Sequence, residues 1–308
     1  MLGKNDEKIL SLKDNSTRKK TTMFEVVTKR ELAPNIVEMK VKAPLVAASA
    51  KPGQFIIVRT DRFGERIPLT ICDYDTNDGT VTIVTQSIGV STRKINSFEV
   101  GEYFDDFAGP LGNPSDLLAL PEEELKKQKI LFIAGGVGTA PVYPQVKWLK
   151  EQGVESDVII GARSENLFTY VSEMQEVGNV YLCTDDGSKG FHGNVTALMK
   201  DLIENQGKKY DRCVIIGPMI MMKFAAQTAK EFGIPSIVSL NALMLDGTGM
   251  CGACRVTVGG ETKFTCVDGP EFDGALVDFD EAMRRQNMYK NNPKTNPETH
   301  KCECHGKS

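Results

Sequence analysis

Three cysteines in a glycine-rich stretch are the residues of this chain best suited to metal chemistry. The run Asp246-Gly-Thr-Gly-Met-Cys251-Gly-Ala-Cys254 is followed, after eleven intervening residues, by Cys266. A Cys-x2-Cys pair beside glycines lets backbone N–H groups surround a cluster and hydrogen-bond its sulfurs. Zinc is the alternative, although zinc ribbons usually supply two such pairs and this stretch has one. The spacing therefore favours a [2Fe-2S] cluster on Cys251, Cys254 and Cys266, with one ligand still to be found.

A second candidate site lies where an apolar strand ends in a glycine-rich turn. The strand-like run 130–134 is followed by Gly135-Gly-Val-Gly-Thr-Ala-Pro141 and then by a helical pattern. Glycines let the backbone approach a pyrophosphate, and the N-terminus of the following helix offers free N–H groups with a partial positive charge. The alternative is a tight turn that only packs a strand against a helix.

Two later turns extend the second candidate site. The polar turn 185–190 follows a strand-like run at 179–183, and Gly217-Pro-Met219 follows another at 212–216. The carboxyl ends of parallel strands meet at one edge of a sheet, so we expect the three turns to converge on a dinucleotide. The candidate nucleotide-binding residues are Gly135, Gly136, Val137, Gly138, Thr139, Asp185, Asp186, Gly217, Pro218 and Met219.

The elements around these turns indicate two architectures. From residue 24 to about 119, short strands separated by Gly and Pro indicate an antiparallel β-barrel, with one helix at 91–98. From Ile130 onward strands and helices alternate, which predicts an α/β doubly wound nucleotide-binding domain with a parallel sheet. The periodicity ends at Asn241, where the small metal-binding segment begins.

The predicted domain boundaries follow from these changes of pattern. They are a polar, disordered leader at 1–22, a β-barrel at 23–125, a nucleotide-binding α/β domain at 126–240, a cluster-binding segment at 241–285 and a tail at 286–308. The tail residues Cys302, Cys304 and His305 could bind zinc, but we interpret them as part of a mobile tail with no site role.

The bulk composition is that of an ordinary globular protein, with 41% hydrophobic and 25% charged residues among 308. A formal net charge of -4 gives no general attraction for nucleic acid or acidic lipid. No apolar run reaches membrane-spanning length. Three of the eight cysteines lie within sixteen residues, which indicates metal in a reducing compartment and predicts a cytoplasmic protein.

The barrel region contains one further motif, Arg66-Ile-Pro-Leu-Thr-Ile71. An Arg on a barrel strand, followed by a hydroxyl residue, is able to pair with a flavin phosphate while the strand backbone lies beside the isoalloxazine ring. Pro68 would restrict this strand to an edge or a bulge. The alternative is an exposed edge strand with a solvated Arg.

Taken together in order, these motifs resemble the ferredoxin-NADP reductase superfamily over residues 23–288. Arg66-x-Pro68-Leu69-Thr70 resembles the flavin motif in the variant of the dihydroorotate dehydrogenase electron-transfer subunits. Gly89-Val-Ser91-Thr92 is similar to the pyrophosphate-binding turn of that branch. The resemblance implies FAD in the barrel and NAD(H) in the second domain. The implied flavin-binding residues are Arg66, Pro68, Leu69, Thr70, Val84, Thr85, Gly89, Ser91 and Thr92.

One departure from that branch concerns the cluster. Its members carry a Cys where this chain has Asp246. The stretch from Leu245 to Gly260 is instead similar to the small subunits of NADH-dependent reduced ferredoxin:NADP oxidoreductases, which are electron-bifurcating. The resemblance implies that Asp246 is the fourth cluster ligand, although Asp is also common in turns.

The implied activity is electron transfer between a nucleotide and a protein partner. FAD exchanges hydride with NAD(H), the cluster passes single electrons, and no acid–base residue is assigned. The implied partner is a larger flavin and iron–sulfur subunit in a heterodimer. Two alternatives stay open: an electron-transfer subunit of a dihydroorotate dehydrogenase or a sulfide or sulfur reductase, and a non-catalytic nucleotide-sensing subunit.

Overall fold

The computed structural model describes residues 24–288. The predictions made for the leader at 1–22 and for Cys302, Cys304 and His305 lie outside these residues. Within residues 24–288, no helix is both long enough and apolar enough to cross a membrane.

Two antiparallel sheets form the N-terminal part and enclose one apolar core. Their strands are β1 (Val26–Ala33), β2 (Ile36–Lys42), β3 (Phe55–Arg59), β4 (Ile67–Thr70), β5 (Asp73–Asp75), β6 (Thr80–Gln86) and β7 (Asp106–Leu111). The strand orders are β1-β2-β6-β5 and β4-β3-β7. Short helices α1 (Pro44–Ala47), α2 (Val90–Asn96) and α3 (Glu122–Leu125) connect or follow them. The helix expected at 91–98 thus begins one residue earlier and ends two residues earlier.

Strand β3 separates two apolar clusters because successive side chains point to opposite faces of a strand. Ile56 and Val58 join the core between the two sheets, with Met39 and Phe107. Phe55 and Ile57, on the other face, pack against residues of the C-terminal segment. A strand with both faces buried reads as a continuous apolar run, which explains why Phe-Ile-Ile-Val shows no alternation.

The second part is a parallel sheet with helices on both faces. It consists of β8 (Ile130–Gly135), α4 (Thr139–Glu151), β9 (Ser156–Ala162), α5 (Val171–Val177), β10 (Asn179–Thr184), β11 (Phe191–His192), α6 (Val195–Glu204), β12 (Arg212–Ile216), α7 (Met219–Glu231) and β13 (Ser236–Ser239). The central strand β8 is buried throughout, and Val142, Val146 and Leu149 of α4 are buried beneath it. The expected doubly wound α/β domain is confirmed.

The C-terminal segment contains elements that the sequence pattern does not reveal. A hairpin of β14 (Arg255–Val258) and β15 (Glu261–Phe264) precedes β16 (Glu271–Asp273) and α8 (Phe279–Gln286). Strand β16 pairs antiparallel with β13 and so becomes the seventh strand of the main sheet, in the order β11-β10-β9-β8-β12-β13-β16. Strands of three or four residues are too short to show a periodicity, which is why none was predicted after Asn241.

A polar network joins the three parts of the chain at one point. The amide of Gln145, on α4, donates to Oε1 of Glu271 on β16 at 2.7 Å. The hydroxyl of Ser115, in the connection between the two domains, donates to Gln145 Oε1 at 3.2 Å. The second carboxyl oxygen of Glu271, Oε2, is buried and has no hydrogen-bond partner within residues 24–288. Burial, with the nearby charge of Asp116 as a smaller cause, raises the pKa of Glu271 to about 7.

This raised pKa predicts a pH-dependent stability. The folded chain keeps the Glu271 proton up to about pH 7, whereas the unfolded chain releases it near the ordinary value of 4.5. The free energy of unfolding should therefore fall as the pH rises from about 4.5 to about 7, by about 3 kcal/mol. Glu271→Gln should remove this fall and be more stable than the parent at pH 8, measured by denaturant unfolding.

The matched control is Glu204→Gln, at the exposed end of α6. It should keep the pH dependence of the parent protein. An equally steep pH dependence in the Glu271→Gln variant would show that this carboxyl is not the group responsible.

Candidate functional site

The glycine turn after β8 packs tightly against the turn after β12. A Cβ on Gly138 would lie 2.4 Å from the carbonyl oxygen of Ile216, and a Cβ on Gly135 would lie 2.3 Å from Met221 Sδ. Gly136 has a φ of +56°, which non-glycine residues rarely adopt. Two of the three turns expected to form the nucleotide site are therefore in contact, and close packing alone requires Gly135 and Gly138; their contact with a nucleotide stays a prediction.

The third predicted turn lies further along the sheet edge. Asp185 and Asp186 follow β10, and their amides donate to the carbonyls of Ala162 and Arg163 at the end of β9. Strand β9 stands between β10 and β8 in the sheet. The carboxylate of Asp186 accepts hydrogen bonds from the hydroxyl and amide of Ser188, which lower its pKa. The structure places these two residues on the predicted edge, and their contact with a nucleotide stays a prediction.

The glycine turn also contacts the barrel. Val137 and Ala140 pack in one apolar cluster with Val84 of β6 and Cys72. Beside Val84, the Thr85 side chain is 3% exposed, and its hydroxyl oxygen has no hydrogen-bond partner in the described part of the chain. A buried hydroxyl without a partner costs free energy, so Thr85 offers a polar atom suited to a ligand. Alternation along β6 places Thr85 on the face of Val81 and Ile83, opposite Val84, and its contact with a flavin stays a prediction.

Ion pairs and hydrogen bonds between the two domains fix this contact. The hydroxyl of Tyr170, at the start of α5, donates to the Glu38 carboxylate on β2. Arg30 of β1 donates to Glu38 at 3.0 Å and to Glu173 of α5 at 2.8 Å. Lys147 of α4 donates to Asp73 of β5 at 2.9 Å. Sequence reasoning missed this network, because nothing in the local pattern pairs residues 74 to 143 positions apart, as the three contacts between the domains do.

The predicted pyrophosphate-binding turn is an ordered helix start. Thr92 Oγ1 accepts hydrogen bonds from the amides of Ile88 and Gly89 at 3.0 and 2.9 Å. The hydroxyl of Ser91 donates to the Glu65 carboxylate. Gly89 is extended, and a Cβ there would meet only Thr92 Oγ1, at 4.0 Å. Gly89 therefore leaves open space in front of the helix, as a bound phosphate requires.

The flavin motif lies on an edge strand, as Pro68 predicted. Strand β4 pairs with β3 alone, and Pro68 stands opposite Ile57. The Arg66 guanidinium has two partners other than a phosphate. Nη1 donates to Asp106 Oδ2 at 2.8 Å, and Nε donates to the carbonyl of Leu245 at 2.9 Å. The predicted pairing of Arg66 with a flavin phosphate stays a prediction, as do the contacts of Leu69 and Thr70.

The structure brings two of the four predicted cluster ligands together. Cys254 and Cys266 are each 2% exposed, and their sulfurs lie 3.3 Å apart. Burial and the neighbouring thiol raise the pKa of Cys266. Cys254 and Cys266 pack with Phe55 and Ile57 on the outer face of β3. Cys251 is exposed on the loop before them.

Asp246 is engaged within its own loop. Its Oδ2 accepts hydrogen bonds from the hydroxyl and the amide of Thr248, the latter at 2.9 Å, and from the amide of Met250 at 3.4 Å. These bonds lower the pKa of Asp246, and the charge of Arg66 adds to the effect. Within residues 24–288 no three His, Cys, Asp or Glu side chains converge on one metal position. Asp246 as a ligand therefore stays a prediction.

Comparisons with known proteins agree with this arrangement. Residues 132–227 match the family model for the oxidoreductase NAD-binding domain, and residues 241–278 match the iron–sulfur cluster binding domain of dihydroorotate dehydrogenase B. A solved structure described as giving insights into flavin-based electron bifurcation, of an NADH-dependent reduced ferredoxin-NADP oxidoreductase, is 41% identical. The alignment has a TM-score of 0.81 and covers 88% of this chain and 95% of the other.

Two curated relatives cover almost the whole of the described chain. An uncharacterised protein in the adh 3′ region of Clostridium beijerinckii is 59% identical over 269 residues, 87% of this chain and 91% of the relative. A homologue of the dihydroorotate dehydrogenase B (NAD(+)) electron transfer subunit from Thermotoga maritima is 43% identical over 274 residues, 89% and 94% of the two chains.

A β-sheet flavin domain followed by a nucleotide-binding parallel sheet defines the ferredoxin-NADP reductase class of flavoproteins. The iron–sulfur segment narrows the assignment. The chain belongs to the family of dihydroorotate dehydrogenase B electron-transfer subunits and their homologues. It is a flavin-dependent oxidoreductase subunit with an NAD-binding domain and an iron–sulfur domain, and the iron–sulfur match favours a cluster over zinc.

The close packing of the nucleotide turn predicts that Gly138 has no room for a side chain. Gly138→Ala should destabilise the protein by about 1–3 kcal/mol, because the Ile216 carbonyl belongs to a sheet strand and has little freedom to move. Gly89→Ala, whose Cβ meets no atom closer than 4.0 Å, should cost less, about 0.5 kcal/mol, because alanine is only a poorer helix N-cap. Denaturant unfolding of the two variants measures the difference, and equal values would contradict the packing described.

Proposed function

We propose that this chain is the small subunit of an electron-bifurcating complex, in which it exchanges hydride with NAD(H) through FAD and single electrons with a larger subunit through a [2Fe-2S] cluster. One observation carries the proposal: the nucleotide turn packs on one sheet of the barrel and the cysteine pair packs on the other, so the predicted flavin strands lie between them. Val137 of the turn packs on Val84 of β6, and Cys254 and Cys266 pack on the outer face of β3.

The chain's own residues align the reactants and exclude water. The apolar cluster of Val84, Val137, Ala140 and Tyr170 closes the junction between the barrel and the nucleotide domain. Phe55 and Ile57 cover the cysteine pair on its inner side. When bound, FAD supplies a carrier that converts a two-electron hydride into the single electrons that an iron–sulfur cluster accepts. No acid or base is needed for this exchange, and we assign no catalytic side chain.

Asp246 supports the bifurcating complex over the alternative. The relative described in the context of flavin-based electron bifurcation is 41% identical over nearly its full length. Other relatives, at 30–34% identity, are named electron transfer subunits of dihydroorotate dehydrogenase B, so that activity is the second candidate. In both cases the partner is a larger subunit that supplies or consumes the electrons. A carboxylate in the ligand set would distinguish the first from the second.

The nucleotide test uses the full chain, purified anaerobically with its cofactors. NADH should bleach the flavin absorbance rapidly, and NADPH should do so much more slowly, because the similar proteins are named for NAD(+) or NADH. Stopped-flow absorbance measures both rates. A yellow protein that neither nucleotide reduces would instead be a nucleotide-sensing subunit.

A second test concerns the cluster ligand. Asp246→Ala should change the EPR signal of the reduced cluster, and Asp246→Cys should keep a cluster with a signal closer to that of four thiolates. The matched control is Asp75→Ala, because Asp75 also accepts turn amides, from Asn77 and Asp78 at 2.8 and 3.0 Å, but lies on β5. If Asp246→Ala gave the same spectrum as Asp75→Ala, Asp246 would leave the ligand set.

A further inference from the structure

We infer that Arg66 is a positioning residue for the iron–sulfur loop, which it ties to the flavin-binding strands. Its guanidinium connects the Leu245 carbonyl, immediately before Asp246, with Asp106 on β7. The inference rests on the proposed function, because it gives Arg66 a role toward the cluster as well as toward the flavin.

The geometry fixes the orientation of the guanidinium. Nε lies 2.9 Å from the Leu245 oxygen, and Nη1 lies 2.8 Å from Asp106 Oδ2. The Arg66 and Asp106 side chains are 34% and 32% exposed, so this pair is better shielded from water than most surface ion pairs. The donors of a guanidinium form a rigid planar fork, so two bonds to different elements define its plane. A lysine ammonium in its place has three donors but no plane, so it would not fix the two bonds in one orientation.

The loop that Arg66 holds is closed internally by the Asp246 carboxylate, but it contains two glycines that are costly to order. Gly247 and Gly249 have φ values of +84° and +86°, and glycines lose more conformational freedom on ordering than other residues. Gly247 is pressed onto the barrel, since a Cβ there would lie 2.6 Å from Ile57 Cδ1 and 2.9 Å from Leu111 Cδ1. The loop is therefore held at Leu245 by a hydrogen bond and at Gly247 by packing. Asp246 lies between the two attachments.

The position of Arg66 also has an electrostatic consequence for the cluster. The guanidinium interacts with the Asp246 carboxylate through its charge. A fixed positive charge near a cluster stabilises the reduced form, which carries one more negative charge than the oxidised form. Arg66 should therefore raise the reduction potential of the cluster. It acts through the loop and through its charge, and it needs no bond to iron.

The experiment compares Arg66→Ala and Arg66→Lys with Arg59→Ala in the full-length protein, with FAD added to equal occupancy. Arg59 provides the matched control, because it pairs with Asp105 at 2.7 Å on the same sheet with a similar exposure. The readouts are the midpoint potential and EPR spectrum of the cluster, and hydrogen exchange at the amides of Thr248 and Met250.

We expect Arg66→Ala to lower the midpoint potential, change the EPR spectrum and increase exchange at both amides at least several-fold. Arg66→Lys should recover much of the potential, because the charge remains, and little of the exchange protection, because the two-point attachment is lost. Arg59→Ala should match the parent in every readout. Asp106→Asn keeps the arginine but removes the charge that anchors it, and it should also increase exchange at the two amides. It replaces Arg66→Ala as the test variant if Arg66→Ala does not fold.

The inference fails if Arg66→Ala matches Arg59→Ala in the midpoint potential, the EPR spectrum and the amide exchange. If that variant then only needs more FAD to reach equal occupancy, Arg66 contributes to flavin binding alone. If Arg66→Ala does not fold, an amide exchange rate in Asp106→Asn equal to that of the parent protein would also contradict the inference. Failure of the proposed function looks different: the parent protein itself would carry no cluster, or NADH would not reduce its flavin.

Discussion

Strand β3 contacts a different apolar cluster on each of its faces, and the arrangement of the whole molecule depends on this double burial. Ile56 and Val58 fill the interior of the flavin domain, while Ile57 and Phe55 cover the cysteine pair. A single layer of backbone therefore separates the barrel interior from the cluster segment. Strand β4, with the flavin motif, is hydrogen-bonded to the same strand. A shift of β3 by one residue would exchange its two faces and disrupt both of these apolar clusters.

The nucleotide domain reaches the barrel by a different kind of contact. Its junction combines a small apolar cluster with the polar groups Glu38, Arg30 and Tyr170, and Glu38 is only 8% exposed. Tyr170 has a φ of +57°, an unusual conformation for a bulky residue. Buried polar groups cost free energy unless they are paired. The two domains can therefore meet only in an arrangement that keeps Glu38, Arg30 and Tyr170 hydrogen-bonded to one another. The glycine turn is thereby held at a defined place on the barrel.

The sequence predicts those features whose signals are local. The run 130–134 and the glycines after it predict the central strand and its turn, and the buried face of α4 follows from Val142, Val146 and Leu149. Pro68 predicts an edge strand because it lacks an amide hydrogen. The barrel and the cluster segment are likewise recognisable from punctuation and cysteine spacing.

The features that the sequence does not predict depend on distant parts of the chain. The Gln145–Glu271 bond joins residues 126 positions apart, and the Arg66–Leu245 bond spans 179. No periodicity or motif connects such pairs, and a three-residue strand such as β16 is below the length at which a pattern shows. Arg66 illustrates the difficulty, since its motif predicts a phosphate partner and gives no sign of the additional bonds to Asp106 and to the Leu245 carbonyl.

The addition of β16 to the parallel sheet limits how this protein could have been assembled from modules. A cluster domain joined only by a linker could be gained, lost or exchanged without disturbing its neighbour. Here the segment that carries the cysteines also supplies the strand that covers β13. Deleting everything after residue 240 would leave the β13 edge open, and open edges promote association between chains. The nucleotide sheet therefore depends on the cluster segment for a covered edge.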